Sequence, residues 1–193
     1  VEMPIRKIVS DGNGYLRTSI KEEKLYGLKF GMRVNGNRAS WASYVGGTLD
    51  NFTIGSAGTS KTKAYIRFRG DEVTKDLQTS TNKLVEYEFI GGNIKVDGTN
   101  KFTYSGTPFS TARSTYITIG NNGNGNRPNY CSFSHAELYD IQNNEHQYLP
   151  FVREGAVGMI NIGTNTMAGI GGTWNIGYEL PDGTPWTPIN QTP

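Results

Sequence analysis

Two pairs of ionisable side chains have the types and spacing that acid–base chemistry requires. Glu86 and Glu88 stand at i and i+2 in the segment Leu84-Val-Glu-Tyr-Glu-Phe89. On an extended strand they share one face, with Cα atoms about 6.5–7 Å apart. Cleavage of a glycosidic bond uses two carboxyls about 5–9 Å apart, one as acid and one as base or nucleophile. His135 and Glu137 are related in the same way, with Ser132 and Ser134 close by. A regular strand points Ser134 away from His135, which separates the hydroxyl from the imidazole. His135 and Glu137 alone are too few for a zinc site of three or four ligands. Both pairs also fit a polar sheet face whose other side is core, since Val85, Tyr87 and Phe89 alternate with the two glutamates.

A second kind of chemistry is recognition of a polar ring: stacking on Tyr or Trp, with hydrogen bonds from Asn, Arg and Asp. Trp41 and Tyr44 flank one loop region, and Tyr65, Arg67 and Arg69 fall on one face of an alternating segment. The run from Gly120 to Tyr130 supplies Asn121, Asn122, Asn124, Asn126, Arg127 and Tyr130. These eleven residues are the candidate ligand-binding set. The Asn-rich run also reads as a hairpin loop built of turn-forming residues. Hard oxygen donors that suit calcium occur in turns at Asp11, Asn13, Asp97, Asp140, Asn143 and Asn144. A Ca²⁺ ion is compatible with such turns, but no Asp-x-Asp cluster defines a ligand set. Arg69-Gly70-Asp71 spells a short adhesion tripeptide, and Asn51-Phe-Thr53 and Asn190-Gln-Thr192 are glycosylation sequons.

These side chains must be positioned by strands. Residues 64–69 and 84–89 alternate apolar and polar, the period of a half-buried strand. Gly91-Gly92-Asn93 and Asp97-Gly98 bracket Ile94-Lys-Val96 with turns. Further strands are expected at 5–9, 15–20, 28–34, 41–46, 116–119, 131–139, 157–162 and 173–178, and one helical turn at Ile20–Leu25. Turn signals every 8–12 residues or so, without helices to cover a parallel sheet, indicate an antiparallel sandwich.

Composition narrows the class. The 193 residues include 25 glycines, with 35% hydrophobic and 19% charged residues, enough for one domain with a real core. A formal charge of +2 without a Lys/Arg run gives no nucleic-acid footprint. No apolar stretch approaches the ~20 residues of a membrane helix, so membrane insertion is not expected. The one cysteine, Cys131, excludes an intramolecular disulfide. The Val1-Glu2-Met3-Pro4 start shows no secretion signal and fits a processed product or a piece of a longer polypeptide. Four prolines after residue 180 exclude regular pairing, so 1–179 is expected as the domain and 180–193 as an extended arm or linker.

The order of the segments carries a resemblance. It runs from Ser10-Asp-Gly-Asn-Gly-Tyr-Leu-Arg-Thr18 to Trp41-Ala-Ser-Tyr-Val-Gly-Gly47, then Tyr87-Glu-Phe-Ile-Gly-Gly-Asn-Ile-Lys-Val-Asp-Gly98 and Ile119-Gly120. The closing strands are Ser134-His-Ala-Glu-Leu-Tyr-Asp140, Tyr148-Leu-Pro-Phe151 and Gly155-Ala-Val-Gly-Met159. Across roughly residues 10–178 this resembles laminin-G-like domains, of bacterial or phage type, in the concanavalin A-like lectin/glucanase superfamily. The resemblance implies an all-β, concanavalin A-like jelly-roll sandwich of two antiparallel sheets. It implies a non-catalytic binding or adhesion module in a surface-exposed or extracellular assembly, with a glycan as ligand. The alternative is a structural domain of a phage tail, fibre or capsid appendage that meets other subunits through the 180–193 arm. Either use places the chain outside the cell, at the cell surface or on a virion. Relatives often hold Ca²⁺ at the sandwich rim. Glucanases of the superfamily carry Glu-x-Asp-x-x-Glu on one strand. Here Glu86-Tyr-Glu88-Phe-Ile-Gly91 lacks the third acid, which puts a hydrolase or lyase last and leaves no catalytic residue assigned. The chain departs from the pattern after Met159, where Asn161-Ile-Gly-Thr-Asn165 replaces a charged hairpin.

Overall fold

The structure, a computed structural model, describes residues 2–36, 41–47, 52–60, 62–68, 71–77, 84–103 and 115–177. The first part of the chain forms β1 (Glu2–Pro4), β2 (Ile8–Ser10), β3 (Tyr15–Lys21), β4 (Leu25–Gly36), β5 (Ser43–Gly46), β6 (Phe52–Ser56), β7 (Lys63–Phe68) and β8 (Asp71–Asp76). Next come β9 (Val85–Ile90), β10 (Asn93–Val96), β11 (Thr99–Thr103), β12 (Tyr116–Ile119) and β13 (Tyr130–Asp140). The last are β14 (Glu145–Arg153), β15 (Ala156–Asn161), β16 (Thr166–Met167), β17 (Gly169–Gly171) and β18 (Trp174–Ile176). The expected helical turn is a single 3₁₀ turn at Glu22–Lys24, closed by the Leu25 N–H on the Glu22 carbonyl.

The strands build two antiparallel sheets that face each other as a jelly-roll-type sandwich. The larger runs β11-β10-β9-β4-β13-β14-β15-β16, with β1 beside β14, β2 beside β13 and β18 beside β2. The smaller runs β17-β3-β12-β5-β6-β7-β8. Alternation chooses the inner faces. Leu16, Thr18 and Ile20 of β3 point inward, as do Val85, Tyr87 and Phe89 of β9. Three tight hairpins are set by paired left-handed residues: Gly91-Gly92 (φ 61 and 82), Asp97-Gly98 (48 and 81) and Glu154-Gly155 (50 and 80). Positive φ at both central positions matches the right-handed twist of the flanking strands.

Aromatic rings run through the core. Phe30 stacks on Tyr87 at 5.1 Å, Phe133 lies 6.5 Å from Phe30, and Trp174 lies 6.2 Å from Phe133. The Trp174 indole rests on Gly14 and Gly120, where a Cβ would come within 2.7 Å of the ring. Pro150 is tolerated inside the large sheet because of its position. β13 pairs with β14 only up to Tyr148, and β1 takes over at Phe151. At this handover the Pro150 carbonyl accepts from the Ile5 N–H at 3.2 Å, and no ladder donor is required of Pro150.

Among the described residues no helix is long and apolar enough to cross a membrane. Cys131 is a buried free thiol, and burial raises its pKa well above the usual value. Arg69, both sequon asparagines, Asn51 and Asn190, and the whole 180–193 arm lie outside the described residues.

Candidate functional site

The candidate aromatic site is built around Trp41. Its indole is 42% exposed, and its backbone sits at φ 61, a left-handed conformation rarely adopted by a bulky residue. Such a conformation costs about 1–3 kcal/mol and persists only where neighbours hold it. Here the Trp41 N–H donates to the Gly58 carbonyl at 2.8 Å, and the Ala42 N–H to Ser56 Oγ at 2.9 Å. Ser56 N–H returns to the Ala42 carbonyl at 2.8 Å. Gly55 completes the grip, because a Cβ there would collide with the Ala42 carbonyl oxygen. Tyr65, across β6 on β7, meets the indole edge-to-face with centroids 5.1 Å apart and an interplanar angle of 78°. Arg67 follows Tyr65 on the same strand face and is half-buried.

The Asn-rich loop is fastened beside this platform and is an ordered framework. Asn121 Oδ1 accepts from the N–H groups of Asn122 and Arg127, at 2.8 and 2.9 Å. Asn122 closes a second ring: its Oδ1 accepts from the Asn126 N–H at 3.1 Å, and its Nδ2 donates to Asn126 Oδ1 at 2.7 Å. The Arg127 carbonyl accepts from the Ser43 N–H at 2.9 Å, two residues after Trp41. Buried Asn129 clamps the loop base by donating to the carbonyls of Ser43 and Gly120. Asn124 and Asn126 are exposed, and Arg127 is half-buried.

The eleven candidates therefore divide. Trp41, Tyr65 and Arg67 lie on the platform side, Arg127 joins it through its carbonyl on the Ser43 N–H, and Asn124 and Asn126 are exposed in the loop. Asn121 and Asn122 are buried: both side-chain oxygens accept from the loop's own N–H groups and Asn122 Nδ2 donates to Asn126, while Asn121 Nδ2 has no hydrogen-bond partner among the described residues. Tyr44 is turned into the core, where desolvation pushes its phenol pKa well up. Tyr130 lies on Gly12, a position with φ 92 and no space for a side chain.

The ionisable pairs are wired differently from the sequence expectation. Glu88 Oε1 and Oε2 pair with Lys29 at 3.3 Å and Lys95 at 3.5 Å. Glu86 Oε2 lies 3.2 Å from His135 Nε2, and His135 Nδ1 lies 2.9 Å from Ser134 Oγ. The placement of Ser134 on the opposite face is thus corrected. A bulge between Phe133 and His135 breaks the alternation, and Gly31 across from it leaves room for the hydroxyl. Glu137 Oε2 instead accepts from the Tyr139 hydroxyl at 2.9 Å. The oxygen-rich turns are internally occupied. Asp11 takes the Asn13 N–H, Asp97 takes the Glu86 N–H, and Asp140 takes Gln142, Asn144 and His146. Among the described residues no three His, Cys, Asp or Glu side chains gather as a metal set.

The structure adds a cleft that sequence reading missed. It measures about 410 Å³ and lies on the flank where β3 of the small sheet meets the β14–β16 side of the large one. Arg17, Ser19, Tyr116, Tyr148, Asn161 and Thr166 contribute to its walls, with Met167 and Ala168 adding apolar surface. Here β17 covers β3 only as far as Arg17, opposite Gly169. The Ser19 N–H beyond it is satisfied across the sandwich by the Tyr148 hydroxyl at 3.1 Å. No sequence signal joins residues 17, 116, 148 and 161; only the fold brings them together.

Comparison with known proteins finds no matching family model and no matching curated protein. Among solved structures, the chain is similar to a crystal structure at 1.50 Å from Bacteroides ovatus described as a "putative carbohydrate binding protein". The TM-score is 0.65 at 13% identity, over 96% of this chain and 62% of the other. The chain thus spans about three-fifths of that protein's length. The likeness establishes a shared all-β sandwich.

Proposed function

We propose that this chain is a non-catalytic glycan-binding module of a surface-exposed or extracellular assembly. The sugar ring stacks on Trp41, and Asn124, Asn126 and Arg127 supply hydrogen bonds from the adjoining loop. One observation carries this reading: an exposed indole is held in a left-handed backbone conformation by three hydrogen bonds, with its edge contact on Tyr65. Strain at an exposed aromatic residue, fixed by its surroundings, is the signature of a preorganised contact surface. The fold shared with a protein described as carbohydrate-binding supports the same reading.

A glycan array followed by titration tests it. Wild-type protein is expected to bind a defined saccharide set, and Trp41→Ala to weaken that binding at least about tenfold, which is about 1.4 kcal/mol. Binding that survives Trp41→Ala undiminished refutes the platform. A second reading, hydrolysis of an ester or amide, has one observation in its favour: the Glu86–His135–Ser134 chain orders carboxylate, imidazole and hydroxyl as nucleophile activation requires. Labelling of Ser134 by a fluorophosphonate probe, lost in His135→Ala, would favour it over the binding module.

A further inference from the structure

We propose that the flank cleft is a second saccharide site, selective for sugars that carry a carboxylate. Among the described residues its walls hold one cation, Arg17, and no Asp or Glu. Arg17 is exposed, its guanidinium lies 5.2 Å from the centroid of the Tyr15 ring, and no carboxylate pairs with it among the described residues. Lys21 Nζ sits 6.0 Å from the ring centroid of Tyr116, which is 38% exposed at the cleft wall. A guanidinium matches a planar carboxylate with two parallel hydrogen bonds, a fit that a neutral hydroxyl does not offer.

The opposite wall supplies an unsatisfied donor. Asn161 is 4% exposed, and its Oδ1 is engaged by the N–H groups of Gly163 at 3.0 Å and Thr164 at 3.3 Å. That fixes the amide orientation and leaves Asn161 Nδ2 buried without a partner. Buried polar groups are nearly always paired, and an orphan lining a cleft marks a position for a ligand acceptor. Both donors line the same cleft. Arg17 is opposite Gly169 and Asn161 is opposite Thr166, so the positions they face are three residues, at most about 10 Å, apart along the chain. Tyr116 offers a ring face for the pyranose, and Met167 and Ala168 offer an apolar floor. The volume falls within the usual range for small-ligand clefts, about 300–1,000 Å³.

This site is independent of the Trp41 platform, and one experiment separates them. The probes are tetragalacturonate, a glucuronate-containing hyaluronan tetrasaccharide and sialyllactose, each beside its carboxyl methyl ester. Titration followed by NMR shifts is done on wild type, Arg17→Gln, Asn161→Asp and Trp41→Ala. The expected result is that at least one acid form binds and that its ester binds at least about tenfold more weakly, the scale of a lost charge-assisted contact. Arg17→Gln loses binding to a similar degree. Asn161→Asp keeps the oxygen that holds the 162–165 turn but sets a charge against the ligand, and it also weakens binding. Trp41→Ala leaves this binding unchanged. Equal binding of acid and ester, binding unaltered by Arg17→Gln, or no acid form bound on the order of 10 mM overturns the proposal.

Discussion

The turn that joins β13 to β14 depends on one carboxylate, and its removal has a defined pH signature. Asp140 Oδ1 accepts from the N–H groups of Gln142 and Asn144, each at 2.9 Å. Its Oδ2 takes His146 Nε2 at 2.9 Å and Asn144 Nδ2 at 3.3 Å. These bonds, the one from His146 foremost, lower the Asp140 pKa from 3.8 to about 2. The turn lies at the surface, so solvent screening discounts the effect. A carboxyl whose folded pKa is depressed adds stability above its unfolded pKa and loses it as pH falls through the folded value. The screened contribution is about 1 kcal/mol at pH 7 and about half of that at pH 3. Asp140→Asn keeps an acceptor for the turn but removes the charge. Its melting temperature should fall about 2–4 °C below wild type at pH 7, the scale for a domain of this length. Thermal melts followed by circular dichroism from pH 7 to pH 3 measure the difference, which should shrink by about half. A difference that stays constant over that range, or one under about 1 °C at pH 7, refutes the reasoning.

Three further outcomes follow from packing. Gly55→Ala forces a Cβ against the Ala42 backbone, so it should cost about 1–3 kcal/mol in urea melts and weaken glycan binding at Trp41 as well; unchanged stability would show that the strands separate freely there. Burial, with Arg33 close by, holds the Lys7 ammonium at a pKa of about 8, well below 10.5. Because the unfolded chain binds this proton more tightly, wild type should gain stability relative to Lys7→Met as pH rises from 7 to 10, and melting curves that stay parallel would contradict it. Tyr148→Phe removes the hydroxyl that meets Ser19 N–H, so a loss of about 1 kcal/mol is expected in denaturant titration, and no loss would mean water takes its place.

Much of the architecture was legible because burial writes a period into the residues. Val85 to Phe89 of β9 alternates, Tyr15 to Lys21 of β3 alternates likewise, and the pairs at 91–92 and 97–98 turn where the sequence indicates. β6 escaped this reading because all five residues from Phe52 to Ser56 are buried, which erases alternation. β8, Asp71–Asp76, escaped because an edge strand of charged residues looks like a loop. The site was half legible. Trp41 and Tyr65 were recognisable as aromatic candidates, but a count of asparagines does not tell an open hydrogen-bonding loop from one that consumes its own amides. The side-chain oxygens of Asn121 and Asn122 are spent on the N–H groups of their own loop. The Ser134 bulge had no signal of its own; its partner in space, Gly31, lies about a hundred residues earlier.

One titration decides whether Trp41 is the proposed contact surface for a saccharide. The best-binding glycan from an array is titrated into wild type and Trp41→Ala, with heat and melting temperature recorded for both. Both proteins are expected to melt within about 2 °C of each other, since the indole is 42% exposed, while the variant binds at least about tenfold more weakly. A variant that folds normally and binds with wild-type affinity, or a wild type that binds no glycan on the array, contradicts the proposal.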